Sequence, residues 1–181
     1  MRSVSHIPGK IHTPHTMQQQ LKRWRLQNKK IVFTNGIFDI LHEGHIFSLS
    51  EAASFGDILI VGLNADASTK RLKGANRPVN SVQSRALLLA ALVMTDAVIV
   101  FEEDTPLKLI CDIMPNVLVK GGDYTLDQIV GAKEVQAHGG EVRIVPIREG
   151  FSTTGLIEKM KEMKPPEPAT IEHGFNKKNS F

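Results

Sequence analysis

His42 and His45 lie three residues apart with Gly44 between them, just after the run Thr34-Asn-Gly-Ile-Phe-Asp39. In the first turn of a helix, residues at this spacing share one face. Both imidazoles can then point at the same anion, and the free N–H groups of the helix start add partial positive charge. Gly44 lets a ligand come close. A zinc-protease reading fails, because that motif needs histidines four apart with Glu beside the first. Asp39 is a candidate to orient a histidine or the metal of a bound cofactor.

Other candidates are basic or small. Lys70, Arg71 and Lys73 fall with Gly74 in the polar stretch Asn64 to Val79, which reads as a loop and suggests a mobile cationic lid over phosphates. Arg77 and Arg85 are candidate phosphate clamps, since a guanidinium matches phosphate oxygens bidentately. Gly121 and Gly122 permit close approach of a nucleotide, and Asp123 could hold its ribose or assist a metal; an ordinary glycine turn is the bland alternative. After Gly150, helix capping explains one of Ser152, Thr153 and Thr154. Three consecutive hydroxyls there suggest a phosphate cradle. Cys111 reads as a small buried helix residue, and Trp24 as packing a leading helix onto the body.

The elements positioning these residues alternate. Strands are expected at Lys30 to Asn35, Ile58 to Leu63, Ala97 to Phe101, Val117 to Lys120 and Val142 to Ile147. Helices are expected between them: Glu43 to Phe55, one capped by Asn80 or Ser81, one begun by Thr105-Pro106, and one from the Thr125 capping box to Gly139. A last helix covers Ser152 to Met163. Five near-continuously apolar strands separated by helices imply an α/β fold, a parallel sheet with helices on both faces. Ligands bind such sheets at the carboxyl ends of the strands. The candidates cluster there: Thr34 to His45 after the first strand, with Thr34, Asn35, Gly36, Phe38 and Asp39 as nucleotide contacts, Asn64 to Arg77 after the second, Gly121 to Tyr124 after the fourth with Lys120 at its end, and Arg148 to Thr154, including Gly150, after the fifth. Residues 1–28 read as an appendage with a short helix, 29–163 as the working domain, and 164–181 as a polar tail.

Composition narrows the class. The chain has 181 residues, 41% hydrophobic and 23% charged, with net charge +3. That is an ordinary globular composition, and its mild basicity suits phosphate ligands without the basic stripe of a nucleic-acid binder. One cysteine excludes an intramolecular disulfide framework or a cysteine-rich zinc site. No secretory signal or membrane-length apolar run is seen, so a cytoplasmic protein is expected.

His42-Glu-Gly-His45 after Asn35-Gly-Ile-Phe-Asp39 resembles the signature of the cytidylyltransferase-like nucleotidyltransferases, and Arg148-Glu-Gly-Phe-Ser-Thr-Thr-Gly155 resembles their second signature. Asn64 to Gly74, Arg77-Pro-Val-Asn80 with Arg85, and Val119 to Tyr124 look like the adenylyltransferase domain acting on D-glycero-β-D-manno-heptose 1-phosphate. The resemblance implies a Rossmann-like three-layer sandwich with five strands in the order 3-2-1-4-5. It also implies ATP as co-substrate, Mg²⁺ bound mainly through the triphosphate, His42 and His45 on the α- and β-phosphates, and a triphosphate-gripping Lys70. It points to bacterial surface-polysaccharide precursor synthesis, in a form without a sugar kinase domain. Ile37 departs from relatives that carry a small polar residue or Cys, so only a backbone contact is available there. A homodimer is expected, also because Leu21, Trp24 and Leu26 would be poorly covered on a lone monomer. A cytidylyltransferase for glycerol 3-phosphate, or a nucleotide-binding module without turnover, remain alternatives.

Overall fold

The computed structural model describes residues 6–146 and 153–162. Six strands, β1 (Ile11–His12), β2 (Ile31–Gly36), β3 (Ile58–Asn64), β4 (Ala97–Phe101), β5 (Val117–Gly121) and β6 (Glu141–Val145), form one sheet in the order β1-β4-β3-β2-β5-β6. Every pairing is parallel. The α/β class with a parallel sheet is as expected, but the strand count and order are corrected from five in the order 3-2-1-4-5. The added strand is β1, whose two residues pair with Val98 and Ile99 at the sheet edge. No periodicity announces a two-residue strand; β4 supplies its partner groups.

The helices are α1 (Pro14–Leu26), α2 (Glu43–Ser54), α3 (Asp66–Lys73), α4 (Val82–Ala91), α5 (Leu107–Ile113), α6 (Ala132–Ala137) and α7 (Thr153–Glu162). Strand side chains alternate between two apolar layers. Ile31, Phe33, Ile60 and Ile99 pack with α1, α5 and α6, while Val32, Leu59, Val61 and Val98 pack with α2 and α4. Among the described residues, no helix is long and apolar enough to cross a membrane.

The segment expected as an appendage contributes to this core. Met17, Leu21 and Trp24, one helical stripe of α1, are buried against the body of their own chain. Each such burial is worth about 1.5–3 kcal/mol relative to exposure. Only Leu26 is left out, at 85% exposed. The packing argument for a dimer through this helix therefore falls away.

Three local expectations change. Asn64 to Val79 is not simply a loop, because Asp66–Lys73 is helical, with Asp66 in the first turn and Lys70, Arg71 and Lys73 in the last. Those charges complement the helix dipole at both ends. The helix expected from Thr125 to Gly139 is split. Its capping box closes only the 3-10 turn Leu126–Gln128, and α6 begins after Gly131. Gly131 has φ +85°, and a Cβ there would stand 2.7 Å from Ile110 Cδ1, so the chain must turn at a glycine. Cys111 is exposed, since Leu109, Ile110 and Ile113 form the inward face of α5.

Candidate active site

The carboxyl ends of the strands open into a cleft with two lobes, of about 550 Å³ and about 290 Å³. Both are lined by the Asn35–Phe38 turn, His45 and Lys120. The turn leaves β2 and reverses at Phe38, whose φ of +47° is rare for a side chain of that size. Its ring lies 5.1 Å from that of His45 at 59°. A Cβ on Gly36 would come within 2.9 Å of the Phe38 ring, so a larger residue there would displace the ring.

His42 is the N-cap of α2 and His45 lies in its first turn. The rings stack with centroids 3.8 Å apart and planes at 21°, so the pair shares one face as the spacing predicts. Neither side chain caps the helix. Both Nδ1 atoms are buried without a hydrogen-bond partner. Burial lowers the pKa of His42, and burial with the neighbouring His42 lowers that of His45 to about 4. Both rings are therefore neutral at pH 7, and an arriving anion would favour their protonation.

The larger lobe is also lined by Asp39, Asn64, Lys73, Arg77, Tyr124, Thr153 and Thr154. The smaller adds Thr34, His42, Gly44, Ser48 and Gly121. Lys120 reaches both lobes; burial depresses its pKa, and its Nζ stands 5.6 Å from the Tyr124 ring centroid. Thr153 Oγ1 donates to Ile40 O at 3.4 Å, setting the start of α7 beside the turn.

Several candidates lie elsewhere. Lys70 is exposed and lines neither lobe, and Arg71 is held on Asp104 and Glu102 O, so within α3 only Leu72 and Lys73 reach the cleft. Gly122 is buried with its N–H on Val145 O, and Asp123 is exposed outside both lobes. Arg148, Gly150 and Ser152 lie outside the described residues.

Arg85 and Asp39 are corrected. Arg85 is 0% exposed, and its guanidinium donates to Asn80 O, Ile37 O and Asp66 Oδ1, the last two at 2.6 Å. It ties the turn to α3 and is out of reach of a phosphate. Asp39 touches neither histidine; it accepts from Arg77 Nε at 2.6 Å and from the amides of Val79 and Asn80. Burial alone would push its carboxyl up, but those amides and Arg77 outweigh it and hold the pKa below the usual value. Arg77 lines the cleft with one edge committed to Asp39.

Asn64, at the head of the stretch expected after the second strand, lines the cleft, whereas the sequence reading missed Ser48 and the Asp104-Thr105-Pro106 wall. Asp104 to Pro106 follow β4, so the strand-end rule that reached Asn64 at the end of β3 could have found them too. Ser48 carried no signal beyond its place one turn along α2 from Gly44.

A cytidylyltransferase-like family profile matches residues 33–169. Bifunctional protein HldE of Koribacter versatilis is 52% identical over 157 residues, which is 87% of this chain and 32% of that protein. The chain thus spans about a third of the length of that relative. The crystal structure of a lipopolysaccharide core biosynthesis protein from Thermoplasma volcanium, 31% identical, superposes with a TM-score of 0.54 over 68% of this chain and 99% of that one. A Francisella tularensis pantoate-beta-alanine ligase, complexed with beta-gamma ATP and beta-alanine, shares the Rossmann-like fold at 16% identity and a TM-score of 0.55, over 83% of this chain and 76% of that one. By the match over most of its length and the 31% identity to the solved structure, this chain belongs to the cytidylyltransferase-like family.

Proposed function

We infer that this chain is a nucleotidyltransferase that transfers AMP from ATP to D-glycero-β-D-manno-heptose 1-phosphate, giving ADP-heptose and pyrophosphate. The observation that carries the reading is the stacked His42–His45 pair at the start of α2, beside a cleft whose two lobes meet at His45 and Lys120. Similarity to HldE and to a lipopolysaccharide core biosynthesis protein supports the choice of acceptor. The smaller lobe, flanked by Gly44 and Gly121, suits a flat base and ribose. The larger, with Lys73, Arg77, Thr153 and Thr154, suits phosphates and the sugar.

The acceptor phosphate is already ionised, so its oxygen can attack the α-phosphorus without a general base, and pyrophosphate departs. The protein's task is in-line positioning and stabilisation of developing charge. His42 and His45 donate to α- and β-phosphate oxygens, aided by the first amides of α2. Lys120 and Lys73 add cationic charge, with Lys120 strengthened by its partial burial. Thr34, Asn35 and Gly36 shape the wall between the lobes. Mg²⁺ bound through the triphosphate would supply charge neutralisation there. The lining carboxylates do not offer it a seat, since Asp39 is saturated by donors and Asp104 is paired with Arg71. A cytoplasmic setting and a homodimer belong to the same proposal, the dimer on family resemblance.

Pyrophosphate release with ATP, CTP, GTP and UTP, each crossed with heptose 1-phosphate and glycerol 3-phosphate, tests the reading. Turnover is expected with ATP and heptose 1-phosphate. Turnover confined to CTP and glycerol 3-phosphate replaces the activity with a cytidylyltransferase. Nucleotide binding without turnover in any combination leaves a binding module.

A further inference from the structure

The larger lobe of the cleft runs from one layer of the fold to the other. On one side stands α2 with His45, its Leu49 and Ala52 packed in the layer of Val32 and Val61. On the other stand Asp104 to Pro106, leading into α5, and Gln128 to Val130, leading towards α6. Leu109, Ile110, Ile129 and Ala132 anchor both segments in the opposite layer. Among the described residues this far wall brings no cation to the lobe, but it does bring a carboxylate. ATP and a sugar phosphate are both anions, so an acidic side chain in their cleft is at odds with them unless it meets a donor. Of the two lining carboxylates, Asp39 is saturated inside the protein. Asp104 is not. Its Oδ1 accepts from Arg71 Nε at 2.7 Å, while Arg71 Nη2 donates to Glu102 O at 2.8 Å and so spans the loop. Asp104 Oδ2 has no partner among the described residues. Arg71 thus offsets the charge that would repel phosphate and fixes the carboxyl plane, leaving one oxygen to accept. On the same wall, Gln128 Oε1 accepts from Thr125 N at 3.0 Å, which leaves Nε2 as a donor.

We propose that Asp104 selects the acceptor: its Oδ2 accepts from a hydroxyl of the sugar, and Arg71 is its positioning residue. This rests on the chain being a sugar-phosphate nucleotidyltransferase, as inferred above. Hydroxyls are the donors that such an acceptor offers. The nucleoside, with hydroxyl and amino donors of its own, is assigned by that reading to the smaller lobe, which Asp104 does not line. Leu72, Tyr124 and Val130 are exposed and line the larger lobe, giving apolar surface for the C–H face of a sugar ring. A mainly apolar wall with a few fixed polar groups is how small-molecule sites set orientation. An acceptor without the matching hydroxyl leaves the carboxylate oxygen unpaired on closure, and that penalty is the source of discrimination.

Steady-state kinetics on the full chain, with heptose 1-phosphate and ATP varied in turn, tests the assignment. Asp104→Ala should raise the KM for heptose 1-phosphate about tenfold or more, while the KM for ATP stays within about twofold. Arg71→Ala, which frees the carboxyl plane, should move the acceptor KM in the same direction by less. A role confined to bracing α3 gives a different split, because α3 carries Lys73 into the cleft. The KM for ATP then rises with that for the acceptor or in place of it, and this result overturns the proposal. An unchanged acceptor KM in Asp104→Ala overturns it as well. If Asp104→Ala fails to fold, Asp104→Asn is read by the same split. Wild-type turnover separates the two levels of the argument. Without turnover of heptose 1-phosphate the substrate reading fails and Asp104 falls with it; with turnover but no split, the reading stands and Asp104 alone is rejected.

Discussion

Two polar clusters stand at the same end of the sheet and handle their polar groups in opposite ways. Around Asp39 and Arg85, buried charge meets charge or amide: Asp39 with Arg77, Val79 and Asn80, and Arg85 with Ile37, Asn80 and Asp66. At the start of α2, His42 and His45 keep buried Nδ1 atoms unpartnered and cap nothing. Unsatisfied buried polar atoms cost about 1–3 kcal/mol each. Two such atoms on side chains that line the cleft fit the anion binding proposed for them, whereas the saturated network around Asp39 and Arg85 holds the turn. Thr69 Oγ1 and Thr95 Oγ1 are also buried and unpartnered but line neither lobe, so it is the position of the histidines at the cleft, together with their free nitrogens, that distinguishes them from the braced Arg85.

That contrast can be broken most forcefully at Arg85. Arg85→Met should cost about 3 kcal/mol of stability, because it strands Asp66 and the Ile37 carbonyl. Urea unfolding measures this directly. A variant of normal stability whose Michaelis constant for the triphosphate rises steeply would return Arg85 to the role of clamp.

His45→Ala tests the other side. Turnover should fall by 10²-fold or more, about 2.7–4 kcal/mol of transition-state stabilisation, while the urea midpoint moves little. Near-normal turnover would remove the histidine pair from the chemistry.

The smallest effect is on the pH dependence of stability. The His45 pKa is about 4 in the folded chain, below its ordinary 6.5. Between those values the unfolded chain binds more protons, so the contribution is full above pH 6.5 and is lost as pH falls towards 4. Asp39 is also held low, but its contribution persists until pH falls below the ordinary carboxylate range. On acidification from pH 7 to 5, the wild type should lose on the order of 1 kcal/mol through the histidine, allowing for its partial exposure. His45→Gln should flatten that slope. Parallel pH profiles in the two proteins would show that the burial of His45 has no such cost.

Much of this was legible from local chemistry. Ser81 caps α4 through the Ser84 amide, as its side chain and position suggest. The five longer strands fall close to their apolar runs, and the histidine pair shares a face because three residues along a helix return to the same side. Other features had no local signal. Lys70 and Lys73 look alike in a basic run, yet only the helical phase of α3 turns Lys73 into the cleft.

The sequence by itself determined the alternation of strands and helices, the strand-end location of the cleft and the pairing of His42 with His45, since periodicity, capping and spacing act within a few residues. Tertiary structure decided that Ile11 and His12 form an edge strand, that Trp24 is covered by its own chain, that Cys111 faces solvent and that Arg85 is a buried tie. Each of these depends on a partner distant in the chain. The same guanidinium is a phosphate clamp or a structural brace according to whether an aspartate and a carbonyl are folded against it.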